Sequence, residues 1–509
     1  MATGARRWRA CTTLLVLAAA NAAAANWTVT PDITLRETYT NNVFLGSGTR
    51  SSDFITQVTP GIRIDGRSSR LIASLDYRPS ALFYARNDQS NDVVNNLAAF
   101  GKLEAVEKFL FIDATGSITQ NFISPFAARP AEIATVTPNR FESRTFSFSP
   151  YLRGELGLGR LEYELRNRNT WTSTDNDAVG DAHTRLWSGR LASPVRLFGW
   201  ALEFDDTRID HEESTGRPDE ESRLYRGRLY YQPDPSWRFS ASAGREENNF
   251  VLPDERERHT IRGAGVSWQP SPRTSANFEY ESRFFGPSRL ASFTHRTRLT
   301  AWSASYSRNT SNFQEEVLRL PPGNVAGLLD AIFAARIPDP IQRRAAVDQF
   351  LRATGTPAFL ANPLSFFTQR VFLREALDAS FGLIGVRNSI TFTVFRSENT
   401  RLSSDAAVAP QDAFLTADRI TLRGFGTRVD HKLTPFTTVG ASATRTWSRQ
   451  EGPASLDSRN DYFALTLNHT VSARTTAFAG ASVSRFDSED LGLANQDAKS
   501  VFVGVNHRF

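Results

Sequence analysis

From Trp27 onward the chain is built of segments, roughly ten to fifteen residues long, in which apolar and polar side chains alternate and turn residues intervene. Successive side chains of a strand point to opposite faces, so a period of two describes β-structure with one apolar and one polar side. Phe463, Leu465, Leu467 and Val471 share one face of such a segment, and Tyr462, Thr466, Asn468 and Thr470 share the other. The ladder recurs with Phe146, Phe148 and Leu152 against Ser147, Ser149 and Arg153, and with Phe278 and Tyr280 against Asn277, Glu279 and Glu281. Hydrophobic residues make up only 40% and the mean hydropathy is -0.36. After the N-terminal leader, no segment offers the long apolar run that a membrane-spanning helix needs.

Short turns (Gly157–Arg160, Pro233–Ser236, Pro270–Arg273, Leu433–Phe436, Val471–Arg474) alternate with long polar connections (Asn121–Arg140, His211–Glu221, Thr400–Ala417). Short on one side and long on the other is the layout of a transmembrane barrel, with turns in the periplasm and loops outside the cell. A soluble β-sandwich also alternates, but here the polar faces carry charges of both signs at regular depth. Glu162, Glu164, Arg166 and Arg168 fall on one strand, Arg226 and Arg228 on a second, and Glu279, Glu281 and Arg283 on a third. These residues are expected to face the lumen, where opposite charges can pair across strands. Trp27, Tyr77, Trp171, Trp187, Trp200, Trp237, Trp268, Trp302 and Trp447 are expected near strand ends, as membrane-interface girdles require. The expected fold is all-β: a single large antiparallel transmembrane β-barrel of roughly 20 to 22 strands, wide enough for an aqueous or plugged lumen, with a helical insertion. The odd count of about twenty-one leaves open whether Thr294–Arg308 is one strand or two, since closed bacterial barrels have even numbers.

The N-terminus carries Arg6, Arg7 and Arg9, an apolar run from Cys11 to Ala20, and the small residues Ala22 to Ala25. That order is a secretory signal, so residues 1–25 are expected to be removed after Ala25 and the protein exported. Cleavage takes away the only cysteine, which leaves no disulfide and no thiolate metal site. It also removes three positive charges, so the basic balance is no evidence for nucleic acid. At the other end Val501, Val503, Val505, His507 and Phe509 carry the alternation to the last residue. Val501, Val503, Val505 and Phe509 resemble the terminal signal read by the outer-membrane assembly machinery, with His507 departing from its usual apolar or aromatic residue.

One region breaks the rhythm. Between barrel parts at 26–314 and 363–509, residues 315–362 follow a helical period, with Val325, Leu328, Leu329, Ile332 and Phe333 on one face. Pro338, Asp339 and Pro340 stop that helix, and Asp339 with Pro340 caps and begins a second carrying Ile341, Val347, Phe350 and Leu351 before Gly355. Such faces must be buried somewhere. A packed loop ornament, a constriction or plug within the lumen, and a partner-docking element all meet that need.

The motifs of the usual soluble enzymes are missing. Outer-membrane hydrolases use Asp/His or Ser/His groups near the rim, and the candidate couples, Asp210 with His211 and Asp430 with His431, are adjacent in sequence. Neighbouring strand residues face opposite ways, so neither couple can share a site in a regular strand, and no catalytic residue or cofactor is expected. The acidic groups Asp205, Asp206, Asp210, Glu212 and Glu213, and Asp487, Glu489 and Asp490, suit solvated loops, or loops bridged by divalent ions to lipopolysaccharide, as well as a Ca²⁺ site, and no specific metal is assigned. Of the 59 basic residues only Lys102, Lys108, Lys432 and Lys499 are lysines. Arginine's planar fork suits carboxylates and phosphates, as an acidic polysaccharide would offer, although a GC-rich genome gives the same bias.

The segment after the signal reads Glu37-Thr38-Tyr39-Thr40-Asn41-Asn42-Val43, then Ser52-Asp53-Phe54-Ile55-Thr56-Gln57-Val58-Thr59-Pro60-Gly61, then Leu75-Asp76-Tyr77. With Tyr306-Ser307-Arg308 and the Pro338-Asp339-Pro340 segment ahead of Arg343 and Val347, this resembles the outer-membrane β-barrel family associated with PEP-CTERM and exosortase systems of exopolysaccharide-producing proteobacteria. The resemblance implies a Gram-negative outer-membrane barrel linked to polymer or surface-protein export, and supplies no catalytic or binding residues. A general or sugar-specific porin is the alternative, and an outer-membrane hydrolase a minor one. The expected partners are outer-membrane lipids and lipopolysaccharide, the assembly machinery, and exopolysaccharide or export-system proteins.

Overall fold

The computed structural model describes residues 26–45, 50–157, 161–176, 180–211, 219–251, 255–402, 412–453, 455–488 and 496–509. The signal-peptide expectation lies outside them. The β-segments form one sheet with every pairing antiparallel, and the first strand (Asn26–Thr40) pairs both with Asp53–Arg67 and with the last strand (Gln496–Arg508), which closes the barrel. Two strands are interrupted. Leu71–Tyr77 and Ser80–Tyr84 both pair with Asp53–Arg67 and are halves of one strand broken at Arg78-Pro79, where proline has no N–H to donate. Asp92–Val94 and Leu97–Val106 pair with those halves in turn and form the next. The barrel therefore has 22 strands. The ambiguity around Thr294 resolves into two strands, Gly286–Arg296 and Thr300–Ser311, joined by a turn in which Thr297 Oγ1 accepts from the N–H groups of Leu299 and Thr300.

Alternation separates the two sides of the wall. Leu465 is 60% exposed and Leu229 67%, whereas Ala464 and Asn468 are buried against the interior. A closed sheet leaves no unpaired edge, so all its backbone polar groups are satisfied inside a bilayer while the apolar side meets lipid. The chain is an outer-membrane β-barrel. Among the described residues no helix is long and apolar enough to cross a membrane.

Both termini lie at one end of the wall, together with short turns such as 272–273 and 473–474. Near this end Trp237 stacks on Phe239 and meets Trp268, and Trp302 packs on Phe381. At the opposite end Trp171 lies flat on His183. Tyr77 and Trp187 are corrections to the girdle: Trp187 lies in the middle of Ala182–Ala192, and Tyr77 ends the lower half of an interrupted strand, mid-wall, and donates to Asn95 Oδ1 at 2.9 Å. In the last strand Val501, Val503 and Phe509 are exposed on the lipid side, with Val505 on the same face. His507 keeps its place by pairing with Thr475 Oγ1 across the hairpin at 2.9 Å and by an edge contact with Phe509. The same Thr–His pair recurs at Thr274–His295 and Thr437–His469, a repeat the alternation did not disclose.

The long connections gather at the other end, where Phe284 and Phe285 make a tight turn and only four residues join Glu451 to Leu456. Among the long polar connections, the described part of Thr400–Ala417 buries Asp412, Phe414 and Ala417, and 123–139 also folds inward. Residues 123–139 bury Phe126, Ala128, Arg129 and Glu132. Residues 312–371 carry three helices: α1 (Phe313–Leu318), α2 (Val325–Phe333) and α3 (Pro340–Thr354). This insertion starts and ends beyond the 315–362 read from the periodicity, because α1 begins at Phe313 and the wall resumes only at Phe372.

Candidate functional site

The insertion leaves the wall between Ser311 and Phe372, which are register partners, so it departs and returns at the extracellular end. Asn312 caps α1 by accepting from Glu315 N–H, and Phe313 packs on Phe141 and Phe367. Glu316, almost fully buried, is held by Arg374 at 3.3 Å, Arg319 at 3.1 Å and the Ser311 hydroxyl at 2.8 Å. The chain then descends. Leu328 and Ile332 of α2 pack with Ala301, beside Gly382, and Ala301 and Gly382 pair near the periplasmic ends of their strands. Asp339 caps α3 through Ile341 and Gln342 N–H and pairs with Arg67 at 2.6 Å. Arg67 sits opposite Asn26, at the periplasmic mouth. The insertion thus runs from the extracellular rim to the periplasmic rim, inside the barrel.

α3 bridges the lumen. On one side Asp348 pairs with Arg63 and Arg344 lies 4.7 Å over the Phe100 ring. On the other side the Thr354 carbonyl accepts from Arg428 at 3.1 Å and Asn468 at 2.9 Å, and Thr356 Oγ1 donates to Asp430 at 2.8 Å. The strands bearing Arg63 and Asn468 are separated by Thr475–Asp487, Gln496–Arg508 and Asn26–Thr40, so these contacts hold α3 across that arc of the wall. Gly355 ends the helix at φ +65°, and a Cβ there would meet the Asn468 amide at 2.5 Å, which is why the turn needs glycine. Leu360 and Asn362 begin the return, and Arg129 from the 123–139 connection clamps it by donating to the carbonyls of Pro363 at 2.9 Å and Ser365 at 2.6 Å. Burial holds the Arg129 guanidinium down to about 10, so it remains charged at neutral pH.

The latch can be tested directly. Arg428 and Asp430 are fully buried and 2.7 Å apart, and removing one partner of such a pair costs about 3–5 kcal/mol. Asp430→Ala is expected to loosen α3 without disassembling the wall. Limited trypsinolysis should then cut at Arg343, Arg344 or Arg352 much faster than in the parent, while heat-modifiable migration persists. Equal cleavage of parent and variant would mean the pair does not hold the insertion.

On the inner wall the charges read from the sequence form paired networks. Arg226 reaches Glu203 and Glu281, each at 2.9 Å, and Arg228 reaches Glu279 at 2.5 Å and Glu203 at 3.1 Å. Arg283 pairs with Glu246 at 2.6 Å. Arg166 pairs with Glu164 and Asp113, both at 3.0 Å, and lies over Tyr151. Glu162 and Arg168 are exposed on the same face, with no ion pair among the described residues. Alternation alone predicts that Arg226→Glu with Arg228→Glu leaves folding nearly intact and shifts an open pore toward cations. The geometry changes the first half of that expectation, because the reversal would crowd five carboxylates into one partly buried network. We expect a loss of about 3–5 kcal/mol, read as a lower urea midpoint, with Arg226→Gln plus Glu281→Gln costing clearly less. Equal midpoints for the two double variants would show that the network is solvated like a surface.

Neither Asp/His couple forms a site. Asp210 is bonded by Arg185 and Arg208, while His211 turns to Glu220 at 3.3 Å. Asp430 belongs to the latch, and His431 faces outward against Asn388 at 2.6 Å. The described acidic groups are not in loops as expected: Asp205, Asp206 and Asp210 belong to the strand Phe198–His211 and Asp487 ends Thr475–Asp487, with Asp206 meeting Arg223 and Asp487 meeting Arg459. Glu212, Glu213, Glu489 and Asp490 lie outside the described residues. Among the described residues no cluster has metal-holding geometry.

No protein-family model and no curated protein matches the chain. Among solved structures it is similar to the siderophore receptor PirA from Acinetobacter baumannii (TM-score 0.46, 7% identity, 94% of this chain and 80% of that one). The FrpB iron transporter of Neisseria meningitidis, F3-3 variant, gives a TM-score of 0.45 at 9% identity over 94% of this chain and 81% of that one. PirA from Pseudomonas aeruginosa gives 0.40 at 9% identity over 94% and 80%. These neighbours are receptors and transporters rather than enzymes, and the likeness is one of barrel architecture.

Proposed function

We propose that the protein is a gated outer-membrane conduit serving export of exopolysaccharide or of PEP-CTERM surface proteins, its resident insertion acting as the gate. The observation that carries this reading is the path of residues 312–371 from one rim of the lumen to the other, latched at Arg428, Asp430 and Asn468. A passive general porin needs a standing aqueous channel, and a bridging helix works against one. A hydrolase needs an acid–base couple on one face, and the two candidate couples diverge. The export system itself enters through the sequence resemblance alone.

Disrupting the gene in its host is expected to strip surface polymer or surface protein from the cells and accumulate it in the periplasm, with recovery on complementation. Quantifying both fractions decides the matter. Unchanged surface material together with slower uptake of small sugars would replace this reading with the porin.

A further inference from the structure

Between α3, the return segment and the wall of the last strands lies a cavity of about 720 Å³. Its lining includes eight arginines and one carboxylate, Asp461, which is already held by Arg445 at 2.6 Å and by Arg459. Three of the arginines are neutralised elsewhere: Arg36 by Glu132, Arg78 by Asp32 and Asp76, and Arg428 by Asp430. Arg352 and Arg508 have no carboxylate within ion-pair distance among the described residues, and Arg352 is partly desolvated and feels the charges of Arg78, Arg508 and Arg63, opposed by that of Asp32. Arg129 is charged and 5% exposed, donates to the Pro363 and Ser365 carbonyls, lies over the Phe122 ring, and has no carboxylate within ion-pair distance among the described residues. Its Nε and Asn460 Nδ2 are buried N–H donors bordering the cavity without an acceptor. Like charges gathered without counter-charge in a partly desolvated chamber raise the free energy of the empty state, and an anion offsets that.

The rest of the lining narrows the kind of anion. Asn506, Asn362 and Thr476 supply amide and hydroxyl groups, and Phe478, beside a Phe502 ring already covered by Arg36, supplies a flat apolar face. Carboxylates match the guanidinium fork, hydroxyls match the amides, and a sugar's C–H face matches the Phe478 ring. We propose that this cavity is a binding site for an anionic saccharide, a short uronate-type oligomer being the form its chemistry fits. The proposal rests on the conduit reading for its purpose but is tested as equilibrium binding, independently of conduction.

The test uses the purified mature barrel in detergent, titrated calorimetrically with a uronate trisaccharide, a neutral trisaccharide and inorganic phosphate. The uronate is expected to bind, more weakly as salt rises, and the neutral sugar to bind at least roughly tenfold more weakly. Arg352→Gln with Arg508→Gln should lower uronate affinity by roughly tenfold or more while heat-modifiable migration stays unchanged, and Arg449→Gln, on an exposed pair with Asp457, should bind as the parent does. Absence of uronate binding, equal binding of the neutral sugar, or phosphate binding as tightly as the uronate would each overturn the proposal, as would a double variant that binds like the parent. If excision of the insertion fails to open a channel but the uronate binds through these arginines, the conduit reading fails and the binding site stands.

Discussion

Excising residues 315–362 and bridging the gap with a short Gly-Ser linker is expected to turn a barrel of low, intermittent conductance into a wide and steady channel. The wall should tolerate the operation because Ser311 and Phe372 already face each other in register. A shortened link between paired strand ends is entropically easy to close, since loop cost changes only slowly with length. The clamp from Arg129 to Pro363 and Ser365 and the cluster of Phe366, Phe372 and Phe414 lie outside the excised stretch and remain to seat the rim. Barrels of 16 to 18 strands already leave an aqueous channel, and this one has 22. Single-channel recording in planar bilayers, parent against excised variant, measures the effect. Equal, large conductance in both would remove the insertion from any gating role and leave a porin.

The second large effect concerns the outside of the wall. Leu465→Arg with Leu467→Arg should block assembly, with the variant recovered unfolded or degraded. Both leucines are exposed on the lipid face, flanked across the strand pairs by Ala441, Val439, Ala481 and Ala479. An arginine near the bilayer midplane of a barrel costs about 2–4 kcal/mol, and two approach the whole stability of many folded proteins. Assembly yield is read from heat-modifiable migration in membrane fractions. Normal assembly of this variant would mean that inside and outside have been exchanged, and the luminal networks of Arg226 and Arg228 would then have to face lipid.

Alternation of apolar and polar residues, with short turns alternating with long connections, was enough to read β-structure and an antiparallel barrel, and it put Glu162 to Arg168, Arg226, Arg228, Glu279, Glu281 and Arg283 on the polar faces of their strands. These are local properties: a strand's period is two whatever it pairs with, and each residue's face follows from its neighbours. Helix punctuation was legible for the same reason. Asp339 and Pro340 open α3 and Gly355 closes it, because capping and left-handed backbone are decided within a few residues.

Only the tertiary structure decided where the insertion goes and what holds it. A helical period shows that a face must be buried, but the surface that receives it here comes from Ala301, Gly382 and Asn468, on strands far apart in sequence. The strand number also needed the fold, since breaks at Arg78-Pro79 and Asn95-Asn96 look like turns locally and are bridged only by their partners across the sheet. The inward course of residues 123–139 had no signal at all in a stretch that reads as polar loop. Periodicity reports a residue's surroundings along its own chain, whereas the latch, the clamp and the cationic cavity are made by side chains that meet because the wall closes into a circle.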